Sequence, residues 1–278
     1  MDDERFTIVI IGLGLMGGSL AFALKGFRNC RLIGYDHSRT TMEAALAQGA
    51  VAHTADSMEQ AVQNADLVIF CTYPGTIVQD IIRCTGYTKE NAVITDICGV
   101  KEPLLAGLPR DYIGLHPMAG KEVDGLANAE AGLFHNAGFI IVPQDESRQE
   151  SLDMLHELAE YVGAGQICVN SARDHDRIIA YTSDLMHITA AALCRDYPRD
   201  MTQAHTAGAF RDCTRIANLN AGMWTELLLL NKENIIPVLE KLINSLSDFN
   251  QALKNEEPDF IRDFLQTACN NKKAMNNA

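Results

Sequence analysis

No two of the eight cysteines (Cys30, Cys71, Cys84, Cys98, Cys168, Cys194, Cys213 and Cys269) form a CxxC pair or fall at metal-ligand spacing. Dispersed thiols in a chain of 278 residues argue against a disulfide framework and for a reduced, intracellular protein with no metal centre. Positive charge is also short: 23 Lys and Arg face 36 Asp and Glu, a net of −13. That balance argues against nonspecific nucleic-acid binding and against an anionic membrane surface as partners. An anionic ligand would need a local cluster of cations, because the overall field repels it. No apolar window is long enough to span a bilayer. The start, Met1-Asp2-Asp3-Glu4, is acidic where a signal peptide is basic. The expected address is the cytoplasm.

Against these absences stands one strong local signal. Phe6-Thr7-Ile8-Val9-Ile10-Ile11 is an apolar, β-branched run, as expected of a central parallel strand buried on both faces. It runs into Gly12-Leu13-Gly14-Leu15-Met16-Gly17-Gly18 and then a helical segment from Ser19 to Lys25. This is GxGxxG in its strand–turn–helix setting. Gly12 permits the tight turn, Gly14 lets the backbone approach a pyrophosphate, and Gly17 lets the helix pack on the strand. Leu13, Leu15 and Met16 complete the cradle, and the free N–H groups at the helix start face the phosphates. The next strand, Arg31 to Asp36, ends in an acid about 20 positions further on. A carboxylate there accepts from the ribose hydroxyls of NAD and repels a 2′-phosphate. Arg39 keeps NADP open, and Asp36 could instead cap the helix beginning near Ser38.

Alternation continues through strands at Ala65–Thr72, Ala92–Asp96, Tyr112–His116, Gly138–Pro143 and Gln166–Asn170. Helices fall at Thr40–Gln48, Gly75–Arg83 and Ser147–Tyr161. The expected fold over 1–170 is an α/β Rossmann-type, doubly wound parallel sheet with ligands at its carboxyl edge. Thr72, Tyr73, Pro74, Asp96 and Lys101 follow strand ends and are candidate cofactor contacts. His116 opens the loop Pro117-Met118-Ala119-Gly120-Lys121-Glu122. A histidine on a Pro/Gly-shaped loop at the mouth of a nicotinamide site is a candidate acid/base for hydride transfer.

From Ser171 the strand signals stop, so 171–278 reads as an all-helical domain. Asp176, Ala180, Ser183 and His187 recur at helical spacing and share a face. Arg211 and Arg215 stand four apart in Phe210-Arg211-Asp212-Cys213-Thr214-Arg215. Leu239, Leu242, Leu246, Phe249 and Leu253 form an apolar stripe suited to a core or a subunit interface, and a helical unit of this kind favours a homodimer.

Four segments together resemble the prephenate/arogenate dehydrogenase family of tyrosine biosynthesis. They are the glycine turn through Ser19, Thr95-Asp96-Ile97-Cys98-Gly99-Val100-Lys101, His116 to Glu122, and Phe210 to Ala217. The resemblance implies an NAD-dependent oxidative decarboxylation of a small-molecule substrate. Prephenate gives 4-hydroxyphenylpyruvate; arogenate would give tyrosine directly. It implies His116 as base, Arg215 as the clamp on a substrate carboxylate, and Ser183 and His187 as pocket lining. Lys121 and Glu122 would shape the pocket and its ionic network. Arg211 would steer the substrate or merely be solvated, and Asp96 and Lys101 would order the loop beside the nicotinamide or simply cap it.

The chain departs from the family pattern at Gly99, where relatives commonly carry a serine that assists the histidine; the partner of His116 is therefore unidentified. Lys121 stands where many relatives have threonine or serine, and Asp184 where they often have histidine. Asn218-Leu219-Asn220-Ala221 lacks the usual Asp-Pro. Two rival readings are a 3-hydroxyacid-type dehydrogenase and an inactive NAD-binding sensor. The FRDxTR setting suits carboxylate clamping better than the catalytic lysine of the first. Retention of His116, Arg215 and the glycines speaks against the second.

Overall fold

The computed structural model describes residues 5–105, 107–109 and 112–276. Strands β1 (Thr7–Ile11), β2 (Arg31–Tyr35), β3 (His53–Thr54), β4 (Leu67–Phe70), β5 (Val93–Asp96), β6 (Ile113–Pro117), β7 (Gly138–Val142) and β8 (Gln166–Val169) form one sheet. Their order is β3-β2-β1-β4-β5-β6-β7-β8, the doubly wound arrangement with β1 beside β4 at the switch point. The β1 residues alternate between two cores. Ile8 and Ile10 pack with Leu20, Leu24 and Leu155 on one face; Val9 and Ile11 pack with Val68, Ile77 and Ile81 on the other. That two-sided burial is why the strand reads as a continuous apolar run.

The pairing is parallel except at β6–β7, which is antiparallel, with His116 opposite Ile140. The expected doubly wound parallel sheet is present with this one antiparallel pairing, for a physical reason. A parallel return needs a crossover helix, and the connection from β6 to β7 holds only two 3₁₀ turns, Leu126–Asn128 and Ala131–Phe134. The short strand β3 went unnoticed in the sequence, because two residues make no periodic signal.

Covering the sheet are α1 (Leu15–Ala23), α2 (Arg39–Ala47), α3 (Met58–Val62), α4 (Pro74–Thr85), α5 (Glu102–Leu105) and α6 (Gln149–Tyr161). Beyond β8, α7 (Ala172–Ile179) passes through a π turn at Ala180–Asp184 into α8 (Leu185–Arg195). Across this segment Ile179, Ser183, Asp184 and His187 line one cleft while Asp176 is buried. Such π turns recur at functional sites. Helices α9 (Gly208–Thr214) and α10 (Ala221–Leu230) follow.

Two compact units result, Met1–Asn231 and Lys232–Ala278. The second is the pair α11 (Lys232–Lys254) and α12 (Pro258–Met275). Phe249 and Phe264 pack edge to face with ring centroids 5.1 Å apart. Among the described residues no helix is long and apolar enough to cross a membrane.

Candidate active site

The carboxyl edge of the sheet opens into one cleft of about 1490 Å³, within the first unit, lined by the glycine turn at one end and by His116, Asp184, His187 and Arg215 at the other. The three glycines divide their work as their spacing predicts. Gly12 has φ +91°, and a Cβ there would meet the Cys71 carbonyl oxygen at 2.6 Å; a Cβ on Gly17 would lie 1.8 Å from the Gly12 carbonyl oxygen. A Cβ on Gly14 would meet nothing within 4 Å. Gly14 is also the N-cap of α1, with no side chain on the helix end. Open space in front of uncapped N–H groups is what a pyrophosphate requires, so these residues fit a dinucleotide.

Asp36 closes β2 and is anchored from both sides. Its Oδ2 accepts from the Leu13 N–H at 2.8 Å and its Oδ1 from the Ser38 N–H at 2.8 Å. The carboxylate does not cap α2: Ser38 is the N-cap, its hydroxyl accepting from the Thr41 N–H at 3.2 Å. Asp36 lines the cleft with lone pairs to spare for ribose hydroxyls. Leu13 is a correction: its side chain is buried in the core, its N–H is spent on Asp36 and it is absent from the cleft lining, so it supports the turn from behind. Leu15, Met16, Thr72, Tyr73 and Pro74 do line the cleft. The Thr72 hydroxyl has no hydrogen-bond partner among the described residues.

Asp96 and Lys101 are corrected too. Both are 0% exposed, paired at 2.7 Å, and absent from the cleft lining. Asp96 also accepts from the Cys98 N–H at 2.5 Å and from the Tyr112 hydroxyl. The pair is a buried fastening for the loop after β5, because a buried charge persists only when partnered and hydrogen-bonded.

His116 sits on β6 with Nδ1 2.8 Å from Nε2 of His175, whose own Nδ1 lies 2.7 Å from Asp176 Oδ1. The Nε2 of His116 has no hydrogen-bond partner among the described residues. It faces Gly99, whose Cβ would stand 3.8 Å away, an ordinary contact. Burial, and then the electrostatic influence of the neighbouring His175 and Lys101, hold the His116 pKa well below the ordinary 6.5, so the ring is neutral at pH 7. Cys98 is no competitor: burial, reinforced by Asp96, pushes its thiol up to about 12.

His187 stacks on Trp224 with ring centroids 3.7 Å apart. Its Nδ1 lies 2.9 Å from the Ser183 carbonyl; a carbonyl only accepts, so Nδ1 carries the proton and Nε2 is an acceptor. Arg215 is 63% exposed and pairs with Glu122. Lys121 pairs with Glu130 at 2.9 Å. Both cations line the cleft, so an anionic ligand would exchange with carboxylates already there.

Arg211 is the last correction. It lies outside the cleft, donating to the Thr206 carbonyl at 3.3 Å. The chain leaves α-helical geometry at Thr214 and enters a 3₁₀ turn at Arg215–Ala217, so the two arginines no longer share a face. Reasoning from sequence missed His175, Asp176 as a hydrogen-bond acceptor, and Trp224. An Asp-His-Asp run opening the helix after Ser171 was the available signal.

A glycine turn for a dinucleotide, a neutral half-buried imidazole and a guanidinium in the same cleft define a nucleotide-dependent oxidoreductase. Two sequence families match: "Prephenate dehydrogenase, nucleotide-binding domain" over residues 20–168 and "Prephenate dehydrogenase, dimerization domain" over residues 171–267. The chain belongs to the prephenate dehydrogenase family. It is 31% identical to the prephenate dehydrogenase of Bacillus subtilis, covering 96% of this chain and 76% of that one. It is 29% identical to a cyclohexadienyl dehydrogenase of Zymomonas mobilis, covering 96% and 95%. Among solved structures, an arogenate dehydrogenase from Synechocystis superposes with a TM-score of 0.81 at 26% identity, covering 97% and 100%. A prephenate dehydrogenase from A. aeolicus, in complex with hydroxyphenyl propionate and NAD⁺, gives 0.86 at 24%, covering 99% and 100%, a likeness of fold.

Proposed function

We propose that this protein is an NAD-dependent prephenate dehydrogenase, converting prephenate to 4-hydroxyphenylpyruvate and carbon dioxide. The observation that carries this reading is the free Nε2 of His116, neutral and half-buried, in one cleft with the glycine turn and Arg215. Gly12, Gly14 and Gly17 shape the cradle for NAD, which when bound accepts the hydride from ring C4. His116 Nε2 takes the C4 hydroxyl proton as that hydride leaves. The bond from C1 to the ring carboxylate then breaks, its electron pair enters the ring, and carbon dioxide departs. The proton returns from Nε2 to the phenolate oxygen. Arg215 holds a carboxylate bidentately, a geometry lysine cannot offer, with Lys121 as the second cation of the cleft.

One observation favours arogenate as a further substrate. Asp184 and the Nε2 of His187 are both acceptors lining the cleft, and acceptors suit an ammonium better than a keto oxygen. We read 1–170 as the NAD-binding part and 171–278 as the part for substrate binding and homodimerisation, in the cytoplasm; the family matches, which meet between 168 and 171, support the division.

The test is reduced-cofactor formation by the purified enzyme, with prephenate and arogenate each offered NAD⁺ and NADP⁺. Turnover of prephenate with NAD⁺ is expected, and His116→Asn should keep NAD affinity while kcat falls by roughly a hundredfold or more, the range for loss of a general base. Silence in all four combinations, with NAD still bound, would refute the assignment.

A further inference from the structure

Hydrogen-bond directions along one buried chain can be assigned from its far end. Asp176 is a carboxylate accepting from two backbone N–H groups, Lys101 to Oδ1 at 2.9 Å and Glu102 to Oδ2 at 2.8 Å. It also faces Nδ1 of His175 at 2.7 Å. An ionised carboxylate only accepts, so that nitrogen carries a proton. With that one proton on its ring, His175 presents a bare Nε2 to its other neighbour, Nδ1 of His116 at 2.8 Å. His116 must donate there, which leaves its own Nε2 as a lone pair on the Gly99 side of the cleft.

We propose that His175 and Asp176 are positioning residues that hold His116 in its Nδ1–H tautomer, so that the nitrogen offered to the substrate is an unprotonated Nε2. The proposal rests on the reading of His116 as the base. It answers the question raised by Gly99: with no hydroxyl at that position, the base is oriented from behind. When Nε2 takes the substrate proton, the imidazolium stays within this chain, since His116 continues to donate through Nδ1 and Asp176 supplies the negative end. The same carboxylate ties the start of α5 to α7 through its two backbone bonds, so the loop carrying Gly99 and the helix carrying His175 keep a fixed spacing. His175 and Asp176 come from α7, His116 from β6; neither element alone could set the tautomer.

The first measurement needs no variant. Nitrogen-15 NMR of the full-length enzyme labelled at histidine, with the His116 signal identified by its loss in His116→Asn, should show Nδ1 protonated and Nε2 bare at pH 7.5. A proton on Nε2 in the wild type would overturn the proposal. The second measurement is kinetic. His175→Gln offers a carbonyl oxygen to His116 but cannot relay to Asp176; kcat should fall by roughly ten- to a hundredfold with KM for substrate and Kd for NAD within about threefold. Asp176→Asn can donate to His175 and reverse every bond in the chain. The loss should then approach the roughly 10⁴-fold known when the aspartate behind a catalytic histidine becomes asparagine and the tautomer is wrong, and the NMR signal should move to Nε2–H. A kcat within twofold of wild type for His175→Gln would reject the positioning role. A wild-type enzyme showing the expected tautomer but no turnover of prephenate would count against the function, not against this chain of bonds.

Discussion

Asp184 is a carboxylate kept from water, 3% exposed, with one oxygen accepting from Asn231 at 2.8 Å. Burial, opposed by that hydrogen bond and reinforced by Asp176, pushes its pKa up to about 6, against about 3.9 for an unfolded aspartate. Between those values the folded state holds a proton that the unfolded state has lost. The stabilisation is complete below about pH 4 and disappears as pH rises through 6. Asp184→Asn should therefore be more stable than wild type at pH 8, by ~1–3 kcal/mol, with the difference vanishing near pH 4. Urea unfolding at the two pH values checks this; an equal difference at both would show that packing, not charge, is responsible. At this scale the sequence exposed residues whose chemistry is carried by a motif, such as His116, Arg215 and the glycines. His175 stayed hidden because its meaning lies in a contact across 59 positions, and Lys101 was misplaced because nothing local says whether a lysine after a strand turns inward.

Within the β1–turn–α1 element the three glycines resist substitution for different reasons, and that difference is measurable. Alanine at Gly17 would put its Cβ 1.8 Å from a backbone oxygen, which the turn can relieve only by moving. Overpacking of this kind costs about 1–3 kcal/mol or more, so Gly17→Ala should lower the melting temperature whether or not NAD is present. Gly14 has a negative φ (−69°) and an open Cβ position, so Gly14→Ala should cost the apoenzyme no more than the ~1 kcal/mol of an N-cap change. It should nevertheless weaken NAD by roughly tenfold or more, because the methyl occupies the approach of the pyrophosphate. Thermal melts paired with NAD titration separate the two cases; equal NAD affinity for Gly14→Ala and wild type would place the phosphates elsewhere. Most elements were legible from the period of their apolar residues. The antiparallel β7 and the π turn were not, since both depend on how the chain closes in space.

The charge of −13 and the apolar surface of the last helices make opposite demands on the whole molecule. Like charges keep copies apart, yet Ile236, Ile243, Leu246 and Leu253 on α11 are each about half exposed or more, as is Leu265 on α12. The four on α11 fall within one side of the helix by their spacing. Scattered apolar residues need no explanation, but a contiguous stripe along a 23-residue helix marks an interaction surface. Together with the match of residues 171–267 to a dimerization domain, it supports a homodimer with a self-complementary interface. The expected partition at residue 170 and the compact units, divided after Asn231, separate different things. Helices α7, α8 and α10 supply walls of the cleft and cluster with the sheet, while α11 and α12 form a unit of their own. If that unit carries the interface, sedimentation should give twice the 30.5 kDa chain mass at micromolar concentration. Leu246→Glu combined with Leu253→Glu should yield a monomer, since two buried carboxylates per subunit cannot be desolvated without partners. The glycine turn lies in the other unit, so the monomer should still bind NAD. A wild-type monomer, or a dimer that survives both glutamates, would move the interface off this stripe.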